Sequence, residues 1–138
     1  MGMNRFLSAA VLVLIYGCKA TLPYNEPPAG SYTIETHELK IGQLVTSVKG
    51  ATVTRDFFPS SGVQPLLGRL LIDPDHASPN PSVVVLSHEL WATRFGSSPN
   101  LIGRTIDIDG RQITVVGVVP NGFSFPKDAL LWTARPTK

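Results

Sequence analysis

Thr105–Val119, TIDIDGRQITVVGVV, decides the fold class. Two runs rich in β-branched residues, Thr105 to Ile108 and Arg111 to Val119, flank the pair Asp109-Gly110. A two-residue loop between antiparallel strands takes a type I′ turn, which needs positive φ at both central residues, and Asp-Gly supplies this with little strain. The stretch therefore predicts a β-hairpin, closed at its far end by Pro120-Asn121-Gly122. Upstream, Ser82 to Leu86 (SVVVL) is an unbroken β-branched run, the pattern of a strand buried on both faces. Ser87 then stands at a helix N-cap position. His88 to Phe95 (HELWATRF) reads as the helix, with Trp91 and Phe95 four residues apart on one face, and Gly96 is placed to end it.

Working outward, the signals weaken. Tyr32 to Val53 predicts one or two short strands, with Gly42 and Gly50 as breaks. Ala51 to Phe57 reads as a strand running into a turn or short helix, with Phe57 and Phe58 as core anchors and Pro59 to Gly62 as a turn cluster or a first helical turn that ends at Gly62. Pro65 to Leu71 is apolar around Gly68-Arg69. Ile72 to Pro81 (IDPDHASPNP) is polar and turn-rich and reads as an exposed loop. After Pro126 the chain reads as a tail, which Leu130, Leu131 and Trp132 are apolar enough to fasten to the body. The sum is an α+β fold of short mixed or antiparallel strands with one or two helices.

Composition narrows the function classes. The 138 residues carry 12 Lys and Arg, 10 Asp and Glu, and a net charge of +2, with no basic run. A nucleic-acid binder concentrates its cations on one face, so no nucleic-acid partner is expected. Gly and Pro number 12 each, which fits many turns and short elements. At the start, Arg5 precedes the apolar run Phe6 to Tyr16, 11 residues long, and then Gly17-Cys18. A membrane span needs about 20 apolar residues, so residues 1–20 read as an export signal or membrane anchor. Leu14 to Cys18 also resembles a degraded bacterial lipoprotein box, which makes Cys18 a lipidation candidate. Residues 21–31 hold three prolines and read as a linker, leaving residues 32–138 as the folded part.

The order of pieces from Val53 to Trp132 resembles the periplasmic core domain of MacB-like ABC-transporter permeases, of the FtsX/MacB type and closest in style to acidobacterial permeases without a fused ATPase. Three strings carry the resemblance. The first is Val53-Thr54-Arg55-Asp56-Phe57-Phe58 with Gly62 to Gly68-Arg69. The second is Val83 to Leu86, Ser87, Leu90, Trp91, Phe95 and Gly96. The third is Pro99, Gly103-Arg104, Ile106, Gly110, Thr114 to Val119 with Gly117 inside it, Pro120, Gly122, Phe123, Phe125 and Pro126. The resemblance implies a non-catalytic, mechanical role in the bacterial cell envelope, linking membrane helices to periplasmic partners or to substrate export. It implies a membrane context and partners that include permease helices and a separately encoded ABC ATPase. The stretch before Phe57 is shorter than in the family, so a partial domain is expected, with strand edges such as Ser82 to Leu86 left open. A freestanding exported lipoprotein or periplasmic binding module is the alternative.

Strings that suggest chemistry fail on spacing. Ser87-His88-Glu89 sits on consecutive positions, which a helix splays about 100° apart, so no nucleophile–base chain forms among them. His88-Glu89 would open a zinc-protease helix, but the second histidine is due at position 92, which is Ala. Asp73, Asp75 and His76 lack the glycine and closing glutamate of a calcium loop. No phosphate-binding G-x-x-x-x-G-K-[ST] string occurs, so ATP energy would come from a partner. Arg69 and Arg104 read as structural ion-pair partners. No catalytic residue, metal or cofactor is expected.

Overall fold

The computed structural model describes residues 24–77 and 82–136. Seven strands and three short helices follow in order: β1 (Tyr32–Ile41), β2 (Leu44–Val53), α1 (Phe57–Ser61), β3 (Leu67–Gly68), α2 (Asp73–Ala77), β4 (Val83–Leu86), α3 (His88–Arg94), β5 (Thr105–Ile108), β6 (Arg111–Val118) and β7 (Leu131–Ala134). A 3₁₀ turn, Pro99–Leu101, links α3 to β5. The fold is α+β, as expected.

The sheet runs β3-β6-β4-β7-β2-β1-β5, and β5 pairs again with β6. That second pairing closes all strands except β3 into a ring. One edge of β6 takes β4 in parallel, while its other edge takes β5 at Arg111 to Thr114 and β3 at Gly117 and Val118. Ring closure removes the open edges of a flat sheet. The open β4 edge expected from the sequence is therefore absent: β4 lies between β6 and β7, bonded to both.

The expected hairpin is present. Asp109 and Gly110 hold φ of 54° and 81°, both positive as a type I′ turn requires, and Ile108 faces Arg111 across it. The helix is present too. Ser87 is its N-cap, accepting the Leu90 amide on Oγ at 3.0 Å, and Gly96 follows the C-terminus at a φ of 64°.

Further expectations are corrected. Tyr32 to Val53 is two ten-residue strands in full register, not short pieces broken at two glycines. Gly42 does make the turn, but Gly50 lies inside β2, opposite Glu35 and beside Leu131 of β7. A Cβ there would stand 2.5 Å from Leu131 Cδ1 and 2.9 Å from His37 Cδ2, so the missing side chain makes room for two others. Ile72 to Pro81 is not simply an exposed loop, because it holds α2, whose His76 is 2% exposed. Finally, the tail supplies β7, an inner strand with Trp132 wholly buried. It pairs in parallel with β2 and antiparallel with β4. Tyr24 to Ser31, within the stretch expected to be a linker, packs on the body. Tyr24 meets Phe123 edge-on at 4.7 Å, and the Asn25 amide donates to the Ser61 carbonyl at 2.9 Å.

Two apolar clusters lie on the two faces of the strands. The first draws Leu39, Val48, Val84, Leu86, Ile106, Ile108, Ile113, Val115 and Leu131 from all six ring strands, so it fills the ring. Leu90 and Trp91 of α3 belong to it. The second lies outside β2, β4 and β7, where Val53, Val85 and Trp132 meet Phe57, Phe58 and Phe123. Strand alternation sorts neighbours such as Val84 and Val85 to opposite clusters. Each fully buried side chain of this size stabilises the fold by about 1.5–3 kcal/mol relative to exposure.

Candidate functional site

The residues singled out in the sequence gather at four places. Phe57, Phe58, Phe123 and Trp132 form the aromatic cluster outside the ring: Phe57 and Phe58 meet edge-on at 5.1 Å, and Phe123 lies 5.4 Å from Trp132. Trp132 Nε1 donates to the Phe125 carbonyl at 3.1 Å, which ties Pro126 and the preceding loop, including Pro120 and Gly122, to β7. The cluster holds the incoming chain, α1 and the outgoing strand together.

Gly68, Arg69 and Gly117 form the second group, where β3 crosses β6. Arg69 Nη1 donates to Asp75 Oδ2 at 2.8 Å and Nη2 to Oδ1 at 3.4 Å, a two-pronged contact that fastens α2. The Asp75 side chain is only 9% exposed. Burial pushes its carboxyl upward, but the Arg69 hydrogen bond, the Ile72 amide and the charges of Arg69 and His76 outweigh burial and hold it below its ordinary value.

The third group is the α3 end. Ser87 is 4% exposed and spends its oxygen on the cap. His88 stands edge-on to Trp91 at 5.5 Å, and Trp91 Nε1 donates to the Ser98 carbonyl at 2.9 Å. This arrangement is a capped, packed helix start, not a nucleophile with a base. The fourth is the hairpin with its approach. Gly110 accepts the turn geometry, and the Gly103 amide donates to the Val115 carbonyl at 2.8 Å. Arg104 acts through its backbone, giving its carbonyl to Val115 at 2.8 Å, and forms no ion pair among the described residues. Cys18 lies outside the described residues.

Asp73, Asp75 and His76 do not converge, since Asp75 faces Arg69 and His76 Nδ1 contacts the Arg135 carbonyl at 3.2 Å. Among the described residues no three His, Cys, Asp or Glu side chains are placed to hold a metal ion.

The sequence reading missed a polar cluster at one mouth of the ring. The inward file of β1 runs Glu35, His37, Leu39, and a cavity of about 200 Å³ opens there, reaching Thr52, Thr133, Asp109 and Arg111. His37 Nδ1 lies 2.6 Å from Asp109 Oδ2, and the Glu38 amide donates to Asp109 Oδ1 at 2.8 Å. Burial raises the Asp109 carboxyl, but the Glu38 amide and then the His37 bond and charge outweigh it and hold it below its ordinary value. The sequence carried no clear signal for it, because β1 is polar at both parities, Glu35 and His37 on the inward file and Thr36, Glu38 and Lys40 on the outward one.

The model of the MacB-like periplasmic core domain matches residues 11–136. This chain belongs to that family. Three solved structures share its fold. The periplasmic region of MacB from Actinobacillus actinomycetemcomitans is 26% identical with a TM-score of 0.62, over 75% of this chain and 46% of that one. The extracellular domain of the noncanonic ABC-type transporter YknZ from Gram-positive bacteria is 16% identical with a TM-score of 0.61, over 77% and 52%. A domain of a putative permease protein from Porphyromonas gingivalis is 17% identical with a TM-score of 0.51, over 81% and 52%. The MacB-like chain thus spans about half the length of these structures. Among curated proteins no sequence matches it. No described helix is long and apolar enough to cross a membrane.

Proposed function

We propose that this MacB-like domain works outside the cytoplasmic membrane as a mechanical part of an ABC-transporter permease, coupling membrane helices to periplasmic partners or to export, without chemistry of its own. One observation carries the reading beyond family membership. The segments that lead into β1 and out of β7 are bonded side by side: the Thr54 amide donates to the Ser31 carbonyl at 2.8 Å, the Arg135 amide to Val53 at 2.7 Å, and Arg135 Nη1 to Gly30 at 3.3 Å. The two segments therefore meet at one corner of the ring, and a displacement of either reaches the same strand pair, β2 and β7. A packed ring resists shear because its interior is close-filled, so it passes such a displacement on as a rigid body. Its partners on this reading are the helices of a permease and a separately encoded ATPase, and its place is the cell envelope.

The test is photo-crosslinking in the native membrane, with the crosslinker at exposed positions such as Val45 and Leu66, which are 55% and 46% exposed. The expected outcome is adducts identified as a permease subunit or as a complex holding an ABC ATPase. A chain that forms no adduct and behaves as a free lipid-anchored or periplasmic monomer overturns the coupling role.

A further inference from the structure

The ring has one weak seam. β1 pairs with β5 through only two residue pairs, Leu39 with Ile108 and Lys40 with Asp107, whereas β1 and β2 share a register along their whole length. Asp109 extends this seam beyond β5. Its amide donates to the Glu38 carbonyl at 2.8 Å, its Oδ1 accepts the Glu38 amide, and its Oδ2 meets His37 Nδ1 at 2.6 Å. The hairpin turn is thus clasped to β1 by a carboxylate and a histidine.

The other ring nitrogen has no such partner. His37 Nε2 is buried with no hydrogen bond, and the Glu35 carboxylate stands near it, Oε1 at 3.8 Å. With Nδ1–H given to Asp109, a neutral imidazole turns a lone pair toward a carboxylate, an acceptor against an acceptor. A proton on Nε2 reverses this and supplies donors to both carboxylates. A buried polar atom without a partner is costly, and a protonated Nε2 can draw the exposed Glu35 carboxylate in from 3.8 Å, whereas a neutral ring turns it away.

We infer that His37 is a proton-operated latch on the β1–β5 seam: protonation at Nε2 clamps Glu35, His37 and Asp109 together and tightens the closure of the ring, while deprotonation loosens it. The proton comes from solvent through the mouth and no bond other than N–H is made. Other charged groups at this place are few. Arg111 of β6 lines the same mouth and has interactions of its own. Lys40, Asp107 and the Glu38 side chain belong by alternation to the outward file. β2 and β7 bring no charged side chain to the cavity among the described residues; their polar groups there are Thr52 and Thr133, with hydroxyls 3.4 Å apart. Asp109 is held below its ordinary carboxylate value, so it keeps its charge at neutral and mildly acidic pH. Gly50 belongs to the device, since a side chain there would strike the His37 ring.

The experiment uses the full chain and reads amide exchange at Glu38 and Asp109, the two seam amides, against Val84 within the ring. Between about pH 7.5 and about pH 5.5, the interval in which histidines change charge, seam protection corrected for intrinsic rates is expected to rise relative to Val84. A rise of about threefold matches one partly exposed charged contact. His37→Gln is expected to abolish the rise and Glu35→Gln to reduce it. Equal pH response in His37→Gln, or no response in the native chain, overturns the latch. Imidazole nitrogen shifts of the native chain test it without any variant. They are expected to show the Nδ1–H tautomer at the higher pH and both N–H groups at the lower, and an Nε2–H tautomer at the higher pH overturns it.

Discussion

Gly68 and Gly117 face each other where β3 crosses β6, and neither has room for a side chain. A Cβ on Gly117 would fall on the Arg69 carbonyl, and one on Gly68 on the Val116 carbonyl. Both obstacles are backbone, which has no rotamer to yield. Gly117→Ala is therefore expected to cost about 1–3 kcal/mol, the range of overpacking, read as a lower urea midpoint. The damage should be local. The Leu66 amide, which donates to Val118 at 2.7 Å, and the Arg69 amide, which donates to Val116 at 2.9 Å, should lose exchange protection while β4 keeps its own. Uniform loss would show that β3 and the ring unfold as one unit.

The contact also shows where sequence reading stops. The β5–β6 hairpin and α3 were legible because each is specified within about a dozen residues: Asp109-Gly110 names its turn, and Ser87 and Gly96 bracket their helix. β7 was not legible as an inner strand. Four residues after a proline-containing loop say that Leu131 and Trp132 are buried, but not that they lie between β2 and β4, one of them some 80 positions away in sequence. β1 misled for another reason. Its inward side chains include Glu35 and His37, because the ring is open to solvent at that end, so the alternation that marks a half-buried strand was blurred. The same blurring hid His37 as a site residue, although Asp109 was quoted for its turn.

The Arg69–Asp75 pair should be the main electrostatic contribution in the β3–α2 region. Asp75→Asn keeps the shape and removes the charge, and is expected to cost about 1.5–3 kcal/mol, the scale of a hydrogen bond to a charged group, toward the lower end because Arg69 is 42% exposed. Because the folded carboxyl lies below its ordinary value of 3.8, its contribution is fully present above that value and is lost as pH falls through the lower folded one. Paired urea titrations should thus give a constant difference between native and variant from neutral pH down to about 5, shrinking below about 4. A difference that grows on acidification would mean the pairing is not what stabilises α2.

Trp132 is both the floor of the aromatic cluster and a hydrogen-bond donor. Trp132→Ala is expected to cost about 3–5 kcal/mol, as for other buried aromatic truncations. Trp132→Phe separates the two roles. It keeps much of the packing against Phe58 and Phe123 but leaves the Phe125 carbonyl without its 3.1 Å donor. It should cost about 1–3 kcal/mol, with amide signals of the Phe123–Pro126 loop shifting most. Equal losses in both variants would assign the whole effect to the lost hydrogen bond, and an unchanged Trp132→Phe would assign it to volume.

Ser87 distinguishes a structural from a chemical reading of Ser87-His88-Glu89. As an N-cap its oxygen accepts the Leu90 amide at 3.0 Å, and the adjacent His88 ring turns to Trp91, away from any relay with that oxygen. A cap contributes about 1 kcal/mol, and glycine at the same place costs only a few tenths. Ser87→Ala should therefore lower stability by about 1 kcal/mol and Ser87→Gly by less, both measured by urea unfolding. Glu89 lies in the first turn of α3, where a negative charge complements the free amides. Glu89→Gln should accordingly lower stability by about 0.3–1 kcal/mol, less at high salt. A nucleophile would behave otherwise. Ser87→Ala and Ser87→Gly would abolish reaction with a serine-directed fluorophosphonate probe equally, whatever their stabilities. Labelling of the native chain at Ser87 by such a probe would contradict the cap as its sole role, and unlabelled protein with graded stability losses supports it.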